Sequence, residues 1–172
     1  MIKLWRCEIC GDPYVGQEPP SNCPFCGAHR EHIKEAKLAK VSFDIKLDEQ
    51  DRKNVEHALK VELSNSAFYF CAAGKTDDVE GKLLFKALGK IEAEHASIWR
   101  KILNIASIPK IDEQCNTENI KNLYESHARE TKAIEFYQDA AEQATNPRIK
   151  QLFEALIEIE TDHLELSEQR ME

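Results

Sequence analysis

No apolar run in this chain is long enough to span a bilayer, and Ile2-Lys3-Leu4-Trp5-Arg6 does not have the make-up of a signal peptide. A soluble, cytoplasmic protein with no membrane partner is therefore expected. Positive charge is also in deficit: 23 Lys and Arg stand against 31 Asp and Glu, a formal charge of −8. Without a basic patch, nucleic acid is not an expected partner. The deficit is uneven. Residues 1–40 carry six basic and five acidic side chains, and the remainder carries seventeen and twenty-six. No glycine-rich dinucleotide motif is found, so the chain is not expected to oxidise NADH by itself. The length of 172 residues allows one medium helical bundle plus a small metal-stapled domain.

Against these absences stands an internal repeat. Glu62, Tyr69, Ala72, Ala73, Leu84, Phe85, Leu88, Ile91, Glu92 and His95 recur, offset by 68 residues, as Glu130, Tyr137, Ala140, Ala141, Leu152, Phe153, Leu156, Ile159, Glu160 and His163. Each copy supplies one Glu and then a Glu-x-x-His. Four carboxylates and two imidazoles in this pattern are what a helical bundle needs to hold two metal ions in its core. The heights agree. Glu62 and Glu92 are equidistant from Asp77, in the break Gly74-Lys75-Thr76-Asp77-Asp78, and Glu130 and Glu160 are equidistant from Thr145, beside Asn146-Pro147. A chain folded at these breaks brings all four Glu residues to one level, roughly 20 Å from each turn. The faces agree too. Glu92 with His95, and Glu160 with His163, are i, i+3 neighbours within inward apolar stripes. A Glu in such a stripe is costly unless it is paired or bound to metal. Glu92 or Glu160 is expected to bridge the two metals.

The expected elements follow from caps and breakers. Helix 1 is expected over about Asp48–Ala73 and helix 2 over about Val79–Ile105. Helix 3 should begin after Asn116 or Thr117, and helix 4 after Asn146 with Pro147 at its first position. Residues 106–116 are long enough, at about 36 to 40 Å extended, to cross the bundle lengthwise. Val41, Phe43, Ile45 and Leu47 alternate with Ser42, Asp44 and Lys46, the period of an extended segment with one buried side.

The second motif is Cys7-Glu8-Ile9-Cys10-Gly11 with Cys23-Pro24-Phe25-Cys26-Gly27. Two Cys-x-x-Cys-Gly knuckles can close a tetrahedral four-thiolate metal site, and each Gly permits the tight turn. Zinc or iron suits such a site. Iron is favoured here because a redox-capable two-metal site lies beside it, and zinc is the alternative. Among the remaining residues, Cys71 lies nine positions past Glu62 and faces away from the metals as a packing or interface thiol. Cys115 falls in the crossover with no assigned role. His127, one turn before Glu130, is weighed as a neighbour of the site, with a plain buried or surface His the simpler reading. His29 and His32 are expected to be solvated, and Trp99 to be core. Tyr69 and Tyr137 are read as core phenols whose acceptors are the ligand carboxylates.

With these residues in hand, the chain resembles a rubrerythrin. Cys7, Cys10, Cys23 and Cys26 match the rubredoxin motif, while Glu62, Glu92, His95, Glu130, Glu160 and His163 match the ferritin-like di-iron pattern. The resemblance implies a mainly α fold: a rubredoxin-like domain over residues 1–38, an extended linker over 39–47, and a ferritin-like four-helix bundle over 48–172. The rubredoxin-like part comes first, the reverse of the commonest rubrerythrin order. The resemblance further implies one Fe(Cys)4 centre and one di-iron centre in which those six bundle residues are catalytic. It implies reduction of hydrogen peroxide to water in oxidative-stress defence, with electrons from a rubredoxin or an NAD(P)H-dependent reductase. It also implies a homodimer in which one chain's four-thiolate iron approaches the other chain's di-iron site. A departure stands at Ala133, where rubrerythrins often carry a further Glu. The remaining four-Glu, two-His set is similar to that of bacterioferritins, so a ferroxidase or dioxygen reductase is the competing expectation. A non-enzymatic zinc-ribbon scaffold on a structural metal site is the third.

Overall fold

The computed structural model describes residues 1–171. The last residue of the expected bundle, Glu172, lies outside them. The N-terminal part forms strands β1 (Lys3–Cys7), β2 (Pro13–Gly16) and β3 (Ile33–Glu35), with a 3-10 turn at Arg30–His32. The sheet order is β2-β1-β3 and both pairings are antiparallel, with Trp5 opposite Tyr14 on one side and Glu35 on the other. Four helices follow: α1 (Glu49–Lys75), α2 (Val79–Leu103), α3 (Asn119–Gln143) and α4 (Pro147–Glu168). None of the described helices is long and apolar enough to cross a membrane.

The helix starts are set by side-chain caps. Asp48 accepts the Asp51 amide at 2.8 Å, and Asn146 accepts those of Arg148 and Ile149 at 2.9 and 3.4 Å, with Pro147 at the first helical position as expected. Three ends differ from the sequence reading. α1 runs through Gly74 to Lys75. α2 stops at Leu103, because Asn104 takes the left-handed conformation (φ 53°) that terminates helices. α3 starts at Asn119. The Asn122 side chain accepts the Asn116 amide and donates to the Asn116 carbonyl, both at 2.9 Å, while the Thr117 carbonyl accepts the Asp77 amide at 2.8 Å. Those bonds hold residues 116–118 outside the helix.

α1 packs chiefly on α2, and α3 chiefly on α4. The crossover from α2 to α3 is fastened to the bundle, and here the sequence reading of two cysteines is corrected: Cys71 and Cys115 form a disulfide, with Cα atoms 5.9 Å apart. Cys71 does face away from the carboxylate cluster, but it is neither an interface thiol nor merely packing, and Cys115 anchors the crossover. Arg129 is a second fastening, donating to Glu113 of the crossover at 3.1 Å. At the other end, buried Asp51 accepts from the Thr145 hydroxyl at 2.9 Å and from the Thr145 and Asn146 amides at 3.2 and 3.1 Å, so the α3–α4 turn is bound to the first turn of α1.

Residues 41–47 alternate half-buried and exposed, as the period-two pattern predicts. Phe43, Ile45 and Leu47 pack on a core that runs without interruption from Trp5, Ile9 and Ile33 of the sheet domain into Val55, Trp99 and Phe153 of the bundle. A second apolar cluster, around Phe68, Tyr69, Phe85 and Leu123, fills the rest of the bundle.

Candidate metal centres

The four knuckle cysteines are buried and their sulfurs lie within 4.8 Å of one another. The Cys7 and Cys26 sulfurs are 3.7 Å apart, and those of Cys10 and Cys23 are 3.8 Å apart. The knuckle geometry explains both glycines. Gly11 and Gly27 have φ of 86° and 80°, a region closed to most side chains, and their amides donate to the Cys7 and Cys23 carbonyls at 3.0 and 2.9 Å. The Asp12 amide donates to the Cys10 sulfur at 3.4 Å. Tetrahedral thiolate coordination suits iron or zinc, and this cage fits either ion.

In the bundle, all six repeated polar residues converge, as the register argument requires. Glu62, Glu92, His95 and Glu160 form one group, and Glu92, Glu130, Glu160 and His163 form the other. Glu92 and Glu160 belong to both, and their two oxygens divide between the two histidines. His95 Nδ1 lies 3.2 Å from Glu92 Oε2 and 3.2 Å from Glu160 Oε1. His163 Nδ1 lies 3.1 Å from Glu92 Oε1 and 2.8 Å from Glu160 Oε2. Glu62 adds an oxygen 3.6 Å from His95 Nδ1. The two imidazoles stand nearly parallel, with ring centres 6.3 Å apart.

The donor set fits a pair of divalent cations. All four carboxylates are fully buried, and one oxygen on each, Glu62 Oε2, Glu92 Oε1, Glu130 Oε2 and Glu160 Oε1, has no hydrogen-bond partner. Four such charges cannot coexist in an apolar core without compensation. The strain shows in their protonation. Burial, with the charge of Glu92 next, pushes Glu62 well above the ordinary carboxylate range, and burial with Glu160 does the same to Glu130. Burial opposes charge on His95 and His163, yet the surrounding carboxylates outweigh it and hold both well above the ordinary imidazole value.

The remaining oxygens of Glu62 and Glu130 are each positioned from the opposite repeat. The Tyr137 hydroxyl donates to Glu62 Oε1, and the Tyr69 hydroxyl donates to Glu130 Oε1. Burial, then the adjacent carboxylate, pushes both phenols well above their ordinary value, so they stay protonated donors. Tyr69 is itself braced by Ser126 at 2.9 Å, which meets Ser167 at 2.8 Å.

The two centres touch. His95 Nε2 lies 2.8 Å from the Cys26 carbonyl oxygen. A carbonyl can only accept, so Nε2 carries a proton, and Nδ1 is the nitrogen turned to the carboxylates and left to bind a metal once its own proton is displaced. This contact is made within one chain, so the partner-chain approach expected from the sequence is not needed for it.

His127 pairs with Glu168 at 3.0 Å and takes no part in the cluster, in line with the simpler reading of it. Two other histidines fall elsewhere than the sequence reading put them. His29 and His32 are not free in solvent: His29 bonds Asp162 at 2.7 Å and His32 lies 3.5 Å from Glu158, so both tie the sheet domain to α4. Lys101 donates to the Cys10 carbonyl at 3.4 Å, and Arg148 donates to the Glu8 carbonyl. Sequence reasoning missed these two clamps, because nothing in a helix's own period marks a partner from a separate domain.

Comparison with known proteins agrees with this geometry. The family described as rubrerythrin matches residues 53–170, and the one described as the rubrerythrin rubredoxin-like domain matches residues 5–34. A curated relative, reverse rubrerythrin-1 of Clostridium acetobutylicum, is 26% identical over 113 residues, which is 59% of this chain and 62% of the relative. No solved structure matches the chain significantly. With a four-cysteine sheet domain leading into a four-helix bundle that gathers four Glu and two His, and a family match covering most of its length, the chain belongs to the rubrerythrin family.

Proposed function

We propose that this chain is a di-iron peroxidase that reduces hydrogen peroxide to water, fed with electrons through a rubredoxin-type iron centre. The observation that carries this reading is the 2.8 Å contact between His95 Nε2 and the Cys26 carbonyl, which joins the thiolate cage to the carboxylate cluster through one hydrogen bond. A four-thiolate iron has no open position for substrate and can only pass single electrons. Its placement against a histidine of a two-metal site makes sense where that site must be re-reduced again and again.

In this reading Cys7, Cys10, Cys23 and Cys26 would hold one iron. Glu62 and His95 would hold a second and Glu130 and His163 a third, with Glu92 and Glu160 common to both donor groups. When bound, the di-iron pair supplies the two electrons that, with two protons, convert one peroxide to two waters. The chain's own residues do the rest. Tyr137 and Tyr69 fix the terminal carboxylates Glu62 and Glu130, and the Cys26 carbonyl fixes the His95 tautomer. The external donor is a rubredoxin or an NAD(P)H-dependent reductase, and the reaction belongs to cytoplasmic defence against oxidative stress. A homodimer is compatible with this scheme but is not required by the His95–Cys26 contact.

One observation favours a second reading, a ferroxidase or dioxygen reductase. Ala133, one turn beyond Glu130, offers only a methyl group and is buried, so the site has four carboxylates and not five. The deciding experiment takes anaerobically prepared, iron-replete protein, reduces it, and mixes it with peroxide or dioxygen in stopped flow. The peroxidase reading expects a red oxidised protein with three irons per chain and faster oxidation by peroxide. A colourless zinc-only thiolate site, or faster oxidation by dioxygen with accumulation of ferric mineral, would sink it.

A further inference from the structure

The two sides of the carboxylate cluster are built differently. On the α2–α4 side, the sheet domain closes it. Cys26 reaches His95, and Gly27 sits so near Ile159 that a Cβ there would lie 3.1 Å from its methyl group. On the α1–α3 side, between the helices that carry Glu62 and Glu130, there is a cavity of about 350 Å³. Its walls include Val61 and Asn65, which flank Glu62, and Arg129, Ala133 and Phe136, which flank or follow Glu130. Asn65 and Ala133 are equivalent positions of the 68-residue repeat. On one helix that position is a methyl, which leaves room; on the other it is an amide.

The amide is the telling group. Asn65 is 4% exposed, its oxygen accepts from Arg129 at 3.4 Å, and its Nδ2 has no partner among the described residues. A buried, unpaired donor on a cavity wall calls for an acceptor. Among the described residues, the cavity holds no buried free cation. Arg129 is already neutralised by Glu113 at 3.1 Å and Glu125 at 2.8 Å and is stacked on Phe68 at 4.5 Å, and the other lining cation, Lys132, is exposed to solvent. Mixed apolar and polar walls and one free donor suit a neutral oxygen species, and the volume leaves it free passage.

We propose that this cavity is the port through which hydrogen peroxide reaches the carboxylate cluster, with the Asn65 amide as its docking donor, so that substrate and electrons arrive from opposite sides of the bundle. This rests on the peroxidase reading for the identity of the substrate, but not for the existence of the port.

The test uses iron-loaded, full-length protein. Nitric oxide, a small neutral probe, is bound to the reduced protein in stopped flow, after metal content and melting have been checked. Ala133→Leu and Val61→Trp each narrow the port from a different helix, so a failure of one to fold leaves the other. The expected result is a nitric oxide association rate at least tenfold slower than in the parent, with an unchanged thiolate-iron spectrum. Rates within twofold of the parent at full metal loading would overturn the port. For the donor, Asn65→Leu should raise the KM for peroxide about tenfold with kcat within twofold, and Asn65→Ser should recover part of the loss. An unchanged KM would overturn the role of Asn65. If the parent protein turns over no peroxide, the peroxidase reading falls, while the nitric oxide rates still decide the port.

Discussion

At the scale of single residues, Gly27 shows how several demands meet at one position. Its φ of 80° requires a residue without a side chain, and α4 lies against it. Gly11 has the same conformation, but a Cβ there would meet the side chains of Val41 and Phe43, in the linker and not in the bundle. Gly27→Ala and Gly11→Ala should each lower stability by about 1–2 kcal/mol through the left-handed backbone alone. Under the proposed function, only Gly27→Ala should also slow re-reduction of the bundle, because lifting the second knuckle off Ile159 draws the Cys26 carbonyl away from His95. Melting curves, together with single-turnover re-reduction rates, separate the two effects. Equal slowing in both variants would mean that the knuckle's seat on α4 does not govern electron transfer. The convergence of the six cluster residues was legible in the sequence, since a Glu and a Glu-x-x-His repeated in register fix both height and face. Their phenolic partners were legible as donors, because a buried hydroxyl needs an acceptor. Asn65 was not legible, because an amide one turn from a carboxylate has no signature until the space beside it is seen.

At the scale of elements, the helices followed their apolar period and their caps, and the ends that moved did so for local reasons, such as the left-handed Asn104 and the bonds around Asn116. The crossover was harder. Its length allowed it to run along the bundle, but no periodicity marks where such a segment is tied down, and Cys71 and Cys115 are 44 residues apart. Closing a loop of that length restricts the unfolded chain and is worth about 2–4 kcal/mol. Cys115→Ser should therefore lower the unfolding free energy by about that amount under oxidising conditions, and by much less once reductant has opened the bond in the parent protein. The spectrum of the metal-loaded thiolate cage should not change, since neither cysteine lies in the cage. Denaturant melts with and without reductant check this, and identical stabilities in both conditions would refute it.

At the scale of the whole molecule, the sheet domain and the bundle share one continuous core but are also held by charge. His29, which meets Asp162 at 2.7 Å, has its pKa raised chiefly by that hydrogen bond and by the charges of Asp162 and Glu158, against the opposing effect of burial. A raised imidazole pKa stabilises the docked form fully below the unfolded value, near 6.5, and loses that contribution as pH climbs through the folded value above it. The parent should thus be less stable at pH 9 than at pH 6 by an increment that His29→Gln abolishes, while added salt weakens the same increment. A pH dependence identical in parent and variant, by thermal melting, would remove His29 from the account. This docking was invisible to sequence reasoning because it joins residues of two separately periodic segments. The bundle's own symmetry was visible, and it holds one thing more. Tyr69 of the first half steadies Glu130 of the second, and Tyr137 of the second steadies Glu62 of the first. A lone helical hairpin with this sequence would hold a glutamate whose anchor belongs to someone else, and two identical hairpins would each complete the other. The crossed phenols are the contacts that two identical hairpins would make on pairing. They also tie the two halves to each other, since a substitution at either tyrosine is felt first in the other half.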